Sequence, residues 1–261
     1  MYKLFFIIIF NIICLPSCTK VNPVDNTTEN VQVESLYSEG EKHFLGRDVP
    51  QDYKKAFFYF EKAATAGSAA AQNDLAAMLT KGIGTDKNPE KALFWLNKAA
   101  EQNFPEAQYN LGLIYDSGNY VTKDRKKALE FYQLAAKSGL SKAQYNLANA
   151  YLSGNGIDKD PKKAIELYKQ AAEQNLPEAQ YNLANAYRDG VVVQKNEEKA
   201  LELYLKAAEQ NLPEAQNNAA YIYANTYNDL EKAKFWFIKS YENGNAAAGE
   251  ALKELNELSS N

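Results

Sequence analysis

From residue 161 to 174 the apolar side chains Ala164, Leu167, Tyr168 and Ala171 fall at the spacing of one helical face. Asp160 stands where an N-cap belongs, and Pro161 suits a first helical position. A second amphipathic stretch, 141–153, precedes it across a loop of about six residues. The pattern therefore predicts a helix A (141–153) followed by a helix B (161–174), neither of which can bury its apolar stripe alone.

This pair recurs along the chain. Ala71-Gln72, Ala107-Gln108, Ala143-Gln144, Ala179-Gln180 and Ala215-Gln216 are spaced by 36 residues. Ala56, Ala92, Ala128, Ala164, Ala200 and Ala233 form a wholly alanine column, whose final step of 33 places a three-residue loss in the loop around Thr226. Gly67, Asn103, Gly139, Asn175, Asn211 and Gly244 align, the two residue types that best tolerate the left-handed conformation closing a helix. Pro105, Pro177 and Pro213 follow two residues later. Asp52, Asn88, Asp124, Asp160, Asn196 and Asp229 form a column of N-caps. The decapeptide AAEQNLPEAQ, at 171–180 and again at 207–216, spans this hinge: the end of one helix B, an Asn cap, a proline start and the first turn of the next helix A.

Helix pairs repeated at this period stack and bury a continuous core. The predicted fold is all-α, a right-handed α-solenoid of about six helix pairs from about residue 32 to 243. A capping helix follows near 246–258. Repeat boundaries are expected near 35–70, 71–106, 107–142, 143–178, 179–214 and 215–247, with the cap at 248–258.

The segment AQYNLANAYLSGNGIDKDPKKAIELYKQAAEQN resembles the Sel-one-like repeat, a relative of the tetratricopeptide repeat with a longer loop. The resemblance rests on Ala143 and Ala164, Leu147, Ala148, Tyr151, the Gly154-x-Gly156-Ile157 loop and the Ala171-Ala172 ending, and it covers residues 35 to 247. The first unit departs at Glu39 and the sixth lacks the Gly loop, as terminal units of a solenoid do.

The N-terminus reads as an address. Lys3 precedes an apolar run from Leu4 to about Leu15, too short to span a bilayer as a permanent helix. Leu15-Pro16-Ser17-Cys18 resembles the bacterial lipobox, which implies lipidation at Cys18 after removal of residues 1–17. Residues 18–31 are then a disordered tether and 32–261 the repeat domain. The resemblance implies a lipid-anchored protein of the cell envelope, on the outer membrane and facing the periplasm, its only membrane contact the N-terminal acyl chains.

Composition narrows the chemistry. Basic and acidic residues are interleaved at a net charge of −4, with no stripe to neutralise phosphates, so no nucleic-acid partner is expected. Both cysteines, Cys14 and Cys18, lie in the first eighteen residues, which leaves no disulfide framework or cysteine-based metal site in the repeats. The one histidine, His43, occupies the column of Tyr115, Tyr151 and Tyr187 and reads as a stand-in for tyrosine. Some Sel-one-like proteins are associated with penicillin binding or β-lactam hydrolysis, which gives a hydrolase as the alternative class. That chemistry's usual S-x-x-K motif is absent from the repeat region, as are the cysteine staples of those relatives. We expect no catalytic residue, metal or cofactor, and a monomer.

Binding is the better expectation. In the related tetratricopeptide solenoids helix A lines the concave face. Its column Ser38, Asp74, Asn110, Asn146, Asn182 and Asn218 holds four asparagines, mediocre helix formers whose amides suit an extended peptide. One turn on are Asn149 and Asn185, with Leu113 and Tyr221 in other copies; beside them run Tyr37, Tyr109, Tyr145 and Tyr181. The same residues could instead bond across adjacent helices. At the rim, Tyr120, Val191 and Val192 replace small or polar loop residues, and Arg188 and Asp116 interrupt a groove-facing column. These departures are candidate anchors, exposed or folded back onto their repeats. The expected partner is another protein, and family resemblance offers immunity proteins that neutralise toxin effectors as one option; an envelope adaptor or a host-contact protein fits equally.

Overall fold

The computed structural model describes residues 28–258; the leader, Cys18 and most of the tether lie outside the described residues. Those described form thirteen α-helices and no strand. They fall into two compact units, one ending at Asp124 and one beginning at Arg125. The first unit holds α1 (Thr28–Leu45), α2 (Tyr53–Thr65), α3 (Ala69–Lys81), α4 (Pro89–Glu101) and α5 (Pro105–Ser117). The second holds α6 (Arg125–Lys137), α7 (Ser141–Ser153), α8 (Pro161–Glu173), α9 (Pro177–Asp189), α10 (Glu197–Glu209), α11 (Pro213–Asn225), α12 (Leu230–Glu242) and α13 (Ala246–Leu258). Odd-numbered helices from α1 to α11 are helices A and even-numbered ones helices B, each packed on its sequence neighbours within its unit.

Two expected boundaries shift. Helix α1 begins at Thr28, inside the segment 18–31 read as tether, because Val31 and Val33 carry a helical pattern on from the polar leader. Helices A begin at 69, 105, 141, 177 and 213, two residues ahead of the expected repeat starts, since proline or serine already occupies the first helical turn.

The punctuation follows residue chemistry. Side chains of Asp52, Asn88, Asp160, Asn196 and Asp229 accept bonds from backbone N–H groups two or three residues on and so cap helices B. Helices α5, α9 and α11 start without a side-chain cap, on Pro105, Pro177 and Pro213, whose ring removes one otherwise orphaned N–H. Gly67, Asn103, Gly139, Asn175, Asn211 and Gly244 all have positive φ, as the hinge requires. Each A–B loop closes on a backbone bond, such as Asp160 N–H to Tyr151 C=O and Asn196 N–H to Tyr187 C=O. The sixth closes from Asp229 to Tyr223, three residues shorter. His43 takes the same part, accepting from Asp52 N–H, and its ring stacks on Tyr59 at 5.7 Å, so it does stand where tyrosine stands elsewhere.

The alanine columns are closed to solvent because helix axes there approach within reach of a methyl group only; Ala164, Ala200, Ala179 and Ala215 have no exposed surface. Larger side chains fill the space between, with Tyr168 central to one core cluster and Tyr204 to the next.

A polar staple runs through these joints. Gln72, Gln108, Gln144, Gln180 and Gln216 are buried, and each Nε2 donates to the C=O eight residues back, at Ala64, Ala100, Ala136, Ala172 and Ala208. The free Oε1 then accepts from the following helix B: Gln102 to Gln72, Gln174 to Gln144, Gln210 to Gln180 and Asn243 to Gln216, at 2.8–3.0 Å. Gln108 Oε1 alone in this column has no partner among the described residues. A buried carboxamide costs stability unless both ends are bonded, so these residues fix one register between repeats. Both glutamines of AAEQNLPEAQ belong to the staple.

Candidate partner-binding surface

Helices A carry nearly all the residues expected to bind. The first question is which of their polar groups are already committed inside the fold. Tyr168, on α8, is buried, and its hydroxyl donates to Asn149 Oδ1 on α7 and accepts from Asn182 Nδ2 on α9 at 3.2 Å. Tyr204, on α10, repeats the arrangement: its hydroxyl donates to Asn185 Oδ1, which also accepts from Asn218 Nδ2 at 3.5 Å. Burial pushes both tyrosine hydroxyls up to about 12, so they remain neutral donors. Asn149 and Asn185 were candidates to face a partner, with bonds across adjacent helices as the alternative. They satisfy buried phenols, because a Tyr hydroxyl taken out of water needs an acceptor.

One column on helix B explains their distribution. It reads Phe60, Leu96, Tyr132, Tyr168, Tyr204 and Phe237, all buried, against Glu41, Ala77, Leu113, Asn149, Asn185 and Tyr221 on helix A. Asparagine appears only opposite tyrosine, and at the sixth position Tyr221 stacks edge-on against Phe237 at 5.0 Å. Tyr145 and Tyr181 are likewise committed, half-buried against Tyr168 and Tyr204 at 5.9 and 5.8 Å between ring centres. Tyr109 and Asn146 are half-buried too.

In the first unit the ladder is acidic. Asp74 accepts from Tyr37 Oη at 2.9 Å and from Asn73 Nδ2 at 3.1 Å, and Asn73 Oδ1 accepts from Asn110 Nδ2 at 2.9 Å. Burial pushes the Asp74 carboxyl up to about 6, against the pull of those two hydrogen bonds, with Glu41 and Glu106 adding to the rise.

Two of the open pockets share one repeat register on helices A. In the first unit, Asn110, Leu113 and Ile114 of α5, Thr80 and Lys81 of α3, Lys87, and Asn119 and Tyr120 of the loop after α5 enclose about 250 Å³. In the second unit, Asn218, Tyr221 and Ile222 of α11 and Arg188 of α9 recur 108 residues on from Asn110, Leu113, Ile114 and Thr80, again around about 250 Å³. Four expected binding residues, Asn110, Tyr120, Arg188 and Asn218, thus line pockets. Arg188 is paired with its neighbour Asp189 through two bonds of 2.7 and 3.1 Å. Asp116 is half-buried and lines neither pocket.

The rim residues project outward. Tyr120, Val191 and Val192 are about half exposed, whereas Val193 packs on the α8–α9 core. Tyr120 and Val192 share a loop column with Asp48, Gly84 and Gly156, and all five have φ between 59° and 81°. Glycine adopts that region freely; a β-branched residue there is strained. Among the described residues no group of three or more His, Cys, Asp or Glu side chains could hold a metal ion.

The Sel1 repeat profile matches residues 37–68, 69–104, 105–140, 141–176, 177–212 and 213–245. The chain belongs to the Sel1 repeat family. Among solved structures, a Sel1 repeat protein from Oxalobacter formigenes is 32% identical, with a TM-score of 0.76 over 83% of this chain and 91% of that one. Two immunity proteins from Pseudomonas aeruginosa share the fold at 20% identity: one has a TM-score of 0.53 over 87% of this chain and 89% of its own, the other 0.52 over 86% and 84%. No curated protein matches the chain. The Sel1 solenoid is an interaction scaffold: its repeats present side chains along a continuous surface, and here that surface carries two pockets at one register.

Proposed function

We propose that this Sel1 protein works in the bacterial cell envelope, tethered through a lipid on Cys18, where it binds and neutralises a protein toxin without turnover. The observation that carries the binding reading is the recurrence of one pocket, three repeats apart, on helices A. A solenoid that only had to stack would have no use for an exposed Tyr120 in a strained conformation or an exposed Val191-Val192. The lipobox-like Leu15-Pro16-Ser17-Cys18 supports the envelope address. Two immunity proteins of the same fold support a toxin as the partner, a likeness of fold alone.

The test is genetic and biochemical together. The product of a neighbouring gene, directed to the periplasm, is expected to arrest growth, and co-expression of this chain to restore it. Purified together, the two should form a stable complex. No rescue from any neighbour sinks the immunity role, and hydrolysis of a β-lactam or an ester by the purified chain overturns binding without turnover. Radiolabelled palmitate should enter the wild-type chain and not Cys18→Ser; label in both would refute the anchor.

A further inference from the structure

The α3–α5 pocket has a chemistry of its own. At about 250 Å³ it lies below the roughly 300–1,000 Å³ of small-molecule sites, and it is of a size to take one side chain. Its floor is apolar because Leu113 stands where the second unit has Asn149 and Asn185, beside Ile114. At its mouth Tyr120 is 53% exposed and held at φ +67°, where the neighbouring repeats have Gly84 and Gly156. That conformation costs on the order of 1–3 kcal/mol, which an exposed ring does not regain inside the chain. Asn110 gives its Nδ2 to Asn73, while its Oδ1 accepts no hydrogen bond among the described residues. Two ammonium groups, Lys81 and Lys87, line the pocket, and no carboxylate does. Its counterpart in the second unit differs in its lining, where Glu197 stands in the wall.

Resting on the partner-binding reading above, we infer that this pocket is an anchor site for one aromatic or aliphatic side chain of an extended partner segment flanked by carboxylates. The side chain lies on Leu113 and Ile114 under the Tyr120 ring, a backbone N–H donates to Asn110 Oδ1, and an adjoining carboxylate meets Lys87. Desolvation under an aromatic lid supplies affinity, and Lys87 supplies selection against basic segments.

The probe is a blocked pentapeptide, acetyl-Glu-Asp-Phe-Asp-Glu-amide, added to the full chain carrying Cys18→Ser. Broadening of its acetyl methyl proton resonance, which every variant peptide shares, reads binding. Replacing the central Phe by Ala, or the four acids by Lys, should each weaken binding about tenfold or more. Tyr120→Gly, which relieves the backbone and so leaves the fold intact, should do the same. Lys87→Glu should shift preference towards the Lys-flanked peptide. Equal binding of acidic and basic peptides, or no effect of Tyr120→Gly, overturns the assignment. Toxin rescue separates the two proposals: a chain that still rescues growth while the peptide results fail keeps the binding role and loses this pocket. Failure of rescue with the peptide results intact does the reverse.

Discussion

Replacing Asn149 by leucine sets two effects of opposite sign against each other. Leucine is the better helix former by a few tenths of a kcal/mol, and Leu113 already occupies this column, so propensity and shape favour the change. Against them stands the Tyr168 hydroxyl, buried and donating to Asn149 Oδ1. Removing its acceptor strands a donor away from water at a cost of about 1–3 kcal/mol. The hydrogen bond wins, and Asn149→Leu should destabilise the protein by about 1–2 kcal/mol. Adding Tyr168→Phe removes the stranded proton, and phenylalanine already fills this column at Phe60 and Phe237. The double variant should therefore return to within about 0.5 kcal/mol of wild type, the remainder being Asn182 Nδ2 losing its acceptor at 3.2 Å. Urea unfolding followed by far-UV circular dichroism on all four proteins gives the coupling energy, expected at about 1–2 kcal/mol. If Asn149→Leu is as stable as wild type, or the two costs add, the structural reading of the asparagine column is wrong. Partner binding should be untouched by Asn149→Leu, in contrast to Tyr120→Gly.

Three further outcomes follow from the geometry. Val192→Gly should raise stability by about 1 kcal/mol, the relief of a left-handed β-branched residue less the added chain entropy of glycine, seen as a melting temperature about 2–4 °C higher; an unchanged or lower melting temperature refutes the strain. Asp74, raised to about 6 from an unfolded value near 4, binds its proton more tightly when folded, so its own contribution to stability is fully present below about pH 4 and is lost as pH rises through 6. Urea midpoints should show that slope, and Asp74→Asn should flatten it and be the more stable protein at pH 7.5. Gln180→Met breaks bonds to both Ala172 and Gln210, whereas Gln108→Met breaks one to Ala100, so the first should cost more by about 1 kcal/mol in the same assay.

The repeat was legible because its signals are local and redundant: caps, left-handed hinges and alanine contacts each recur in every copy, and the helices follow from any one of them. What the side chains do was harder to read. Asn149 looks like a surface amide when helix A is read alone, and only its coincidence with Tyr168, nineteen residues on, gives it away. The same comparison was available for Asn185 and Tyr204, while Leu113 opposite Tyr132 breaks the match, so the two columns agree only in part. The glutamine staple was visible as spelling but not as bonding, because the acceptor at residue 72 and the donor at 102 are thirty residues apart. The rim residues were flagged by departure from the pattern, and that reading found exposed side chains at Tyr120, Val191 and Val192. The left-handed backbone of Tyr120 and Val192 was also written in the column, since Gly84 and Gly156 mark it.

The staple also bears on how such a gene changes. Its bonds alternate, one joining helix A to the copy before and one joining helix A to helix B of the same copy, and donors and acceptors are interchangeable: Gln174 meets Gln144 as Gln210 meets Gln180. Excising residues 145–180 would bring Gln144 against Gln210 with the hinge spelling unchanged, and would remove one Asn–Tyr pair whole while leaving no orphan half. Unequal recombination at the decapeptide therefore yields chains that differ in length by one copy yet keep every joint. Lineages can alter the reach of the molecule in a single step and refine its pockets separately.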